Sequence, residues 1–343
     1  MAKGNVTIRK QLMGELVDFS KSSQLGDLAE IELLAKLVVL LSQYEEEGVA
    51  LRPEVYLCSN VHDLLKLVTN SAVVEIGKAA TAPEAAREAL KRCAPLCIGG
   101  WNMFVQASKS SFCYGVFRES LSPLAISVDQ TIFESGSLPP DLKVIKLQQI
   151  AKNCVSLRNH CGDWHNIFLT DARDDSASPD EYFANLTSCV CKTADIEISE
   201  SLQSFLKKSL REAVSWSHGT LIAVANGDEL PAFLTDCVIL LPPIDLANAV
   251  ALARENAFEL LTLSSYAALI KGMISCDGIT IFSNSGKVLA YCGFIKPPAE
   301  NATARVGGAR TRAFDALCSH LGTGLDAVLV RSQDGWTQFR KAL

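Results

Sequence analysis

Positions 171–181 read DARDDSASPDE, a run of acidic and small residues interrupted by a proline, and this run divides the chain. It carries almost no apolar surface to bury, and Pro179 cannot continue a helix through it. Residues 1–170 are therefore expected to form one α/β domain, 171–185 an acidic linker, and 186–343 a second domain. A length of 343 residues agrees with that division, because a single core stops growing before such a size.

The balance of 32 basic against 38 acidic side chains, −6 in all, provides no broad basic field. Bulk nucleic-acid binding is not expected, although local arginines can still hold a small anion. With 48% hydrophobic and 20% charged residues the chain falls among ordinary globular proteins rather than disordered, collagenous or coiled-coil ones. The apolar stretch Leu33 to Leu41 contains Lys36 and is far shorter than the roughly 20 residues that cross a bilayer. Met1 to Val17 lacks the continuous apolar segment of a secretory signal. The expected location is thus the cytoplasm, with no membrane partner, and the 12 cysteines read as reduced residues packed in the core.

Periodicity predicts the elements. In the first half, Gly26 to Tyr44 reads as an amphipathic helix and Glu54 to Cys58 as a strand. Asn60 to Val68 and Ala82 to Cys93 read as short helices. Met103 to Gln106 with Phe112 to Phe117 reads as a hairpin around Lys109, and further strands are expected at Ala125 to Val128 and Asn166 to Thr170. In the second half, Ser199 caps a helix that buries Leu202, Phe205, Leu206, Leu210 and Val214. Thr220 to Ala225 (TLIAVA) and Val238 to Leu241 read as strands, and one long helix runs from Asp245 to about Met273.

The segment Ser275 to Phe294, SCDGITIFSNSGKVLAYCGF, then gives two strands, Ile279 to Phe282 and Val288 to Cys292, around an Asn-Ser-Gly turn. Asp277 and Gly278 stand at the start of the first strand. An aspartate there can hold a divalent ion or a ribose hydroxyl, with the glycine allowing a ligand to approach the backbone. On residue types alone, a turn aspartate bonded to its own backbone is the favoured reading. Arg305 to Ala313, RVGGARTRA, opens a helix over Ala313 to His320. Gly307 and Gly308 free the backbone, and the helix amides with Arg310, Thr311 and Arg312 form a compact anion site, or alternatively a solvated helix start. A third strand, within AVLVRSQD, ends in Ser332, Gln333 and Asp334. The carboxyl ends of strands are where α/β folds usually bind ligands.

The order of these pieces resembles the diadenylate cyclase (DAC, DisA_N) domain family over roughly Leu202 to Phe339. Asp277-Gly278-Ile279 stands at that family's Asp-Gly-Ala motif, Gly308-Ala309-Arg310-Thr311-Arg312 at its Gly-Thr-Arg-His-Arg motif, and Ser332-Gln333-Asp334 at its Ser-Glu-Glu strand end. The resemblance implies a mixed sheet flanked by helices and a nucleotide site formed by Asp277, Gly278, Gly308, Arg310, Thr311, Arg312 and Ser332. In the family, two domains meet face to face and join two ATP into cyclic di-AMP with a divalent metal, magnesium or manganese. Asp277 would then hold the metal. Ile279, Ala309, Thr311 and Gln333 depart from the motifs, removing polar partners while the arginines remain. The pattern is similar to the degenerate, sensor-type members of this bacterial signalling family, the DACNV group, whose amino-terminal half is similar to RPEVYL, GGW and YGVFR here. A nucleotide or cyclic-dinucleotide sensor with an unidentified effector partner is the expectation. An active cyclase, working as a homodimer, is the alternative, and a purely structural module with a vestigial pocket is the third reading.

Two other patterns bear on the architecture and the site. Gly100 to Phe117 can be laid over Gly278 to Ile295 without a gap, matching Gly, Phe, Lys and Gly, so the two halves are candidate pseudo-repeats. Arg158 to His165, RNHCGDWH, gathers His160, Cys161, Asp163 and His165, but a polar turn is the favoured reading over a zinc site, because no second ligand pair exists elsewhere. Cys189 and Cys191 read as packed rather than reactive. G-x-S-x-G, HExxH and GxGxxG do not occur, which removes the commoner hydrolase, zincin and dinucleotide readings.

Overall fold

The computed structural model describes residues 8–25, 27–46, 51–67, 71–97, 99–108, 111–120, 122–134, 138–139, 141–169, 179–217, 219–295, 308–333 and 336–343. The chain forms two compact units, Met1–Leu121 with Ala125–Asp174, and Ser122–Leu124 with Asp175–Leu343. Each is a mixed α/β layer structure built on a seven-stranded sheet.

Unit 1 runs α1 (Ile8–Ser22), α2 (Leu28–Leu41), β1 (Glu54–Cys58), α3 (Val61–Leu65), β2 (Ala72–Ala79), α4 (Ala82–Cys93), β3 (Trp101–Ser108), β4 (Ser111–Arg118), α5 (Val128–Phe133), β5 (Val144–Ala151), β6 (Cys154–Asn159) and β7 (Trp164–Phe168). Its strands lie in the order β2-β4-β3-β1-β5-β6-β7. Unit 2 runs α6 (Pro179–Val190), α7 (Ile196–Trp216), β8 (Thr220–Ala225), β9 (Leu234–Thr235), β10 (Val238–Asp245), α8 (Leu246–Glu255), α9 (Glu259–Ser275), β11 (Ile279–Ser283), β12 (Lys287–Ile295), α10 (Ala309–Cys318), β13 (Leu325–Arg331) and β14 (Thr337–Lys341). Its order is β10-β12-β11-β8-β13-β14, with β9 paired to β12.

The two units repeat one topology. In each, a parallel pair (β1 with β3, β8 with β11) is extended on both sides by antiparallel strands at matching positions. The ungapped overlay of Gly100 on Gly278 nevertheless puts side chains on the wrong face. Met103 packs in the core shared with α4, on the crossover side of its sheet, whereas Ile281, its partner in the overlay, packs with Phe314 and Leu317 of α10 on the other side. A one-residue slip in a strand exchanges its two faces, so the strand order carries the repetition and the residue-by-residue match does not.

Strands β8, β11 and β13 are buried at every position, which is why their sequences are apolar runs rather than alternations. Helices α6 to α9 cover one face, where Phe205, Leu210, Ile274 and Phe282 meet, and α10 covers the other through Phe314 and Leu317.

Several expectations change. Ala125 to Val128 is not a strand: Ser127 and Gln130 form a reciprocal capping box and start α5. The helix expected from Asp245 to Met273 is two, because Asn256 leaves the helical conformation and its side chain accepts from the Phe258 amide at 3.0 Å. The cap of α7 is Asp195 rather than Ser199, and α10 begins at Ala309, before the expected Ala313. The last expected strand of the first half is Trp164–Phe168, and α1, α6, β2, β5, β6, β9 and β14 depart from the sequence reading, which placed no element there. Residues 171–178 of the expected linker and the Lys109 turn lie outside the described residues. Residues 179–185 belong to α6, with Pro179 at its first position, where the missing N–H costs nothing.

In unit 1 a buried ion cluster lies beside β1 on the face that carries α5. Lys146 Nζ is 2.8 Å from Glu54 and 2.5 Å from Asp129, and the Tyr56 hydroxyl donates to Asp129 at 2.8 Å. Burial, reinforced by the Asp129 charge, pushes the Tyr56 phenol well above its ordinary range and keeps it a donor. Replacing Lys146 by Met removes the cation shared by two carboxylates. Urea unfolding of Lys146→Met is expected to show a loss of about 3–5 kcal/mol, and a change below about 1 kcal/mol contradicts the assigned role.

Candidate functional site

The amino ends of parallel strands β8 and β11 are each preceded by a glycine in a left-handed conformation, Gly219 at φ +107° and Gly278 at φ +107°. Strand β13 runs antiparallel to β8 and pairs Arg331 with Thr220, so its carboxyl end reaches the same corner. Ser332 follows the carboxyl end of β13, and Asp277 and Gly278 stand just before β11, each as expected; because β13 runs antiparallel to β8, these two strand ends come to one corner.

Both glycines are required by φ, and Gly278 by close backbone contact as well. A Cβ on Gly278 would lie 2.8–2.9 Å from the backbone of Cys292 and from the Gly293 carbonyl oxygen. A Cβ on Gly219 would lie 2.9 Å from Arg310 Nη1 and 3.0 Å from the Arg331 carbonyl oxygen. The Arg310 guanidinium thus rests against bare backbone, on the floor made by Gly219 and Arg331.

From that floor Arg310 Nη2 reaches Asp277 Oδ1 at 3.9 Å, beyond hydrogen-bond distance. The Asp277 side chain is 84% exposed and that of Arg310 37%. An exposed pair of this kind stabilises the fold by only about 0.2–1 kcal/mol, so displacing it costs little.

The other predicted residues divide. Gly308 is the cap of α10, exposed, with no atom of the described residues beyond its chain neighbours within 4 Å of where its Cβ would stand. Its φ of −68° is open to any residue, so its role is the space it leaves rather than conformational freedom. Thr311 is half-buried in the first turn of α10. Arg312 is exposed, and two helical positions from Arg310 it projects from a different side, so the two arginines do not converge through the helix. Ser332 closes β13, its amide bonded to the Trp336 carbonyl at 2.9 Å. Gln333 is exposed, while Gly307 and Asp334 lie outside the described residues. Gly219 and Arg331 escaped the sequence reading. The available signal was a glycine directly before an apolar run long enough to be a strand buried on both faces.

The corresponding corner of unit 1 is closed. There the amino end of β1 and the face of α5 carry the Lys146, Glu54 and Asp129 cluster, in which the Lys146 and Asp129 side chains are 8% and 9% exposed. In unit 2 the same corner of the repeated fold holds a half-buried arginine and an exposed aspartate 3.9 Å apart.

RNHCGDWH forms the β6–β7 turn. Asp163 accepts from Asn159 at 3.0 Å, a bond that holds its carboxyl below the usual range, and His165 pairs with Glu15 at 3.4 Å. Among the described residues no group of three or more His, Cys, Asp or Glu could hold a metal ion, and no helix is long and apolar enough to cross a membrane. Cys191 is buried and its thiol is pushed up to about 12 by desolvation, while Cys189 is half-buried. Comparison with protein-family models, with curated proteins and with solved structures finds no match to this chain.

Gly219→Ala forces a strained backbone and drives the new methyl against Arg310. The substitution is expected to cost about 1–3 kcal/mol in chemical denaturation and to shift the NMR resonance of the Arg310 Nε–H. A wild-type-like resonance contradicts the described packing.

Proposed function

We propose that unit 2 binds a nucleotide or cyclic dinucleotide at the corner between β8, β11 and the start of α10, and that it works as a sensor rather than a catalyst. The observation that carries this reading is the placement of Arg310, whose half-buried guanidinium lies against the Gly219 backbone and 3.9 Å from the exposed Asp277. A phosphate offers this guanidinium charge-assisted hydrogen bonds that a carboxylate at 3.9 Å does not. The exposed amides at the start of α10 add favourable partial charge toward the same anion. Asp277 is then available to a ribose hydroxyl.

The sensor reading over the cyclase reading rests on the departures at Ile279, Ala309, Thr311 and Gln333, which leave arginine as the principal polar group. Should magnesium or manganese take part, Asp277 would supply one oxygen, with phosphate and water providing the rest, as is usual for magnesium beside a nucleotide. Such an ion would neutralise phosphate charge.

Thermal unfolding with ATP and with cyclic di-AMP tests the proposal. A stabilising shift with at least one ligand is expected, and Arg310→Ala should weaken binding about ten- to hundredfold, the equivalent of about 1.5–3 kcal/mol for hydrogen bonds to a charged group. A melting temperature unmoved by either ligand refutes nucleotide binding. A cyclic dinucleotide formed from ATP and manganese, and lost in Asp277→Asn, replaces the sensor with a cyclase.

A further inference from the structure

Two kinds of side chain outside the β8–β11 corner depart from the rest of their type. Cys161 and Cys276 are exposed, where all 12 cysteines were expected to pack in the core, and each is a single free thiol. The other is a guanidinium of unit 1. Among the described residues four cations lie over aromatic rings, and three of them have a second partner. Lys146 has Glu54 and Asp129, Lys271 has Glu212, and Arg158 donates to the Phe133 carbonyl. The fourth, Arg118, lies 5.9 Å from the centroid of the Trp101 ring, and its side chain makes no hydrogen bond or ion pair with any described residue.

The fold holds this guanidinium in place. Gly99 and Gly100 lead the chain into β3 at φ +63° and +87°, and Trp101, the first residue of β3, pairs with Arg118, the last of β4. Directly opposed residues of a strand pair share a face. Here it is the α4 face, where Trp101 packs against the core containing Met103 and Val105, whereas the Lys146 cluster lies on the α5 face of the same sheet. On the other side of Arg118, β2 presents only the methyl of Ala72. The neighbouring carboxylate, Glu119, is engaged at the start of α5, accepting from the Val128 amide at 2.7 Å. Arg118 Nε is sealed from solvent without an acceptor, 3.8 Å from where a Cβ of Gly100 would stand. A sealed donor costs about 1–3 kcal/mol, and attraction to a ring does not satisfy an N–H. The remainder of the side chain is half-buried, so the Nη edge is its open part.

We propose that Arg118, fixed over Trp101, is a phosphate-binding site of unit 1, separate from the corner of unit 2. The two coplanar Nη groups match two oxygens of an oxyanion, and the indole sets the plane of that fork. A phosphate brings close to two negative charges where a carboxylate brings one. Its remaining oxygens stay in water above the exposed Gly99, where no atom of the described residues beyond the chain neighbours lies within 4 Å of the Cβ position. The ligand is free phosphate or the phosphate monoester of a small molecule.

The test is heteronuclear NMR of the full-length Arg310→Ala protein, in which the unit 2 corner has lost its guanidinium, titrated with inorganic phosphate, glycerol phosphate and acetate at constant ionic strength. The Trp101 indole and Arg118 Nε–H resonances, assigned with Trp101→Phe and Arg118→Lys, are expected to shift saturably with at least one phosphate. The tighter of the two distinguishes free phosphate from a monoester. Arg118→Lys keeps a cation but not the fork, and should weaken binding about tenfold or more. Arg118→Met should abolish it, with amide resonances away from β3 and β4 unchanged. Resonances unmoved by phosphate, equally moved by acetate, or still saturating in Arg118→Met overturn the proposal. Both signals come from unit 1, so their failure leaves the nucleotide reading of unit 2 standing, and failure of that reading leaves this site standing.

Discussion

Strand β8 has no face left for water, and the rest of unit 2 follows from that constraint. A strand buried on both faces needs hydrogen-bonded neighbours on both edges and helices above and below. Strand β11 supplies one edge in parallel, and a parallel neighbour can be reached only by a crossover, which α8 and α9 provide. Strand β13 supplies the other edge in antiparallel sense. These two directions bring the starts of β8 and β11 and the end of β13 to one corner. Every residue of unit 2 assigned to ligand contact owes its position to this arrangement.

The repetition of the fold makes the corner informative. Both units place the end of the central strand and a short connecting helix together, yet they fill the space differently. Unit 1 closes it with a buried lysine between two carboxylates, an arrangement whose internal attraction offsets the cost of dehydrating three charges. Unit 2 leaves an arginine on bare backbone and an aspartate in solvent. A corner satisfied by its own buried ions has little to offer a ligand, whereas one whose guanidinium reaches solvent can receive an anion.

Legibility in the sequence followed burial. Thr220 to Ala225, Ile279 to Phe282 and the helix carrying Leu202 to Val214 were readable because a continuous apolar run or three-and-four apolar spacing is rarely produced by anything but a buried strand or an amphipathic helix. Strands β5 and β6 were missed because Lys146, Gln148, Ser156 and Arg158 interrupt their apolar pattern; Lys146 belongs to the ion cluster and Arg158 lies over the Phe133 ring of α5. Residues 125–128 misled because a capping box is decided by two side chains, Ser127 and Gln130, rather than by periodicity. At the site, Asp277 and Arg310 stood out as a motif, but Gly219 could not, since a glycine before a strand acquires meaning only when a guanidinium lies on it.

The sequence by itself determined that two α/β units form, which strands are buried on both faces, and that an aspartate-glycine turn precedes an arginine-bearing helix. Those properties are local, set by periodicity, turn chemistry and composition. Only the tertiary structure decided that Arg310 rather than Arg312 approaches Asp277, that these two residues meet at the amino ends of the parallel strands, and that the two units share one strand order. The reason is that strand direction and register are fixed by pairing between distant segments, and a change of one residue in register exchanges the faces on which side chains meet.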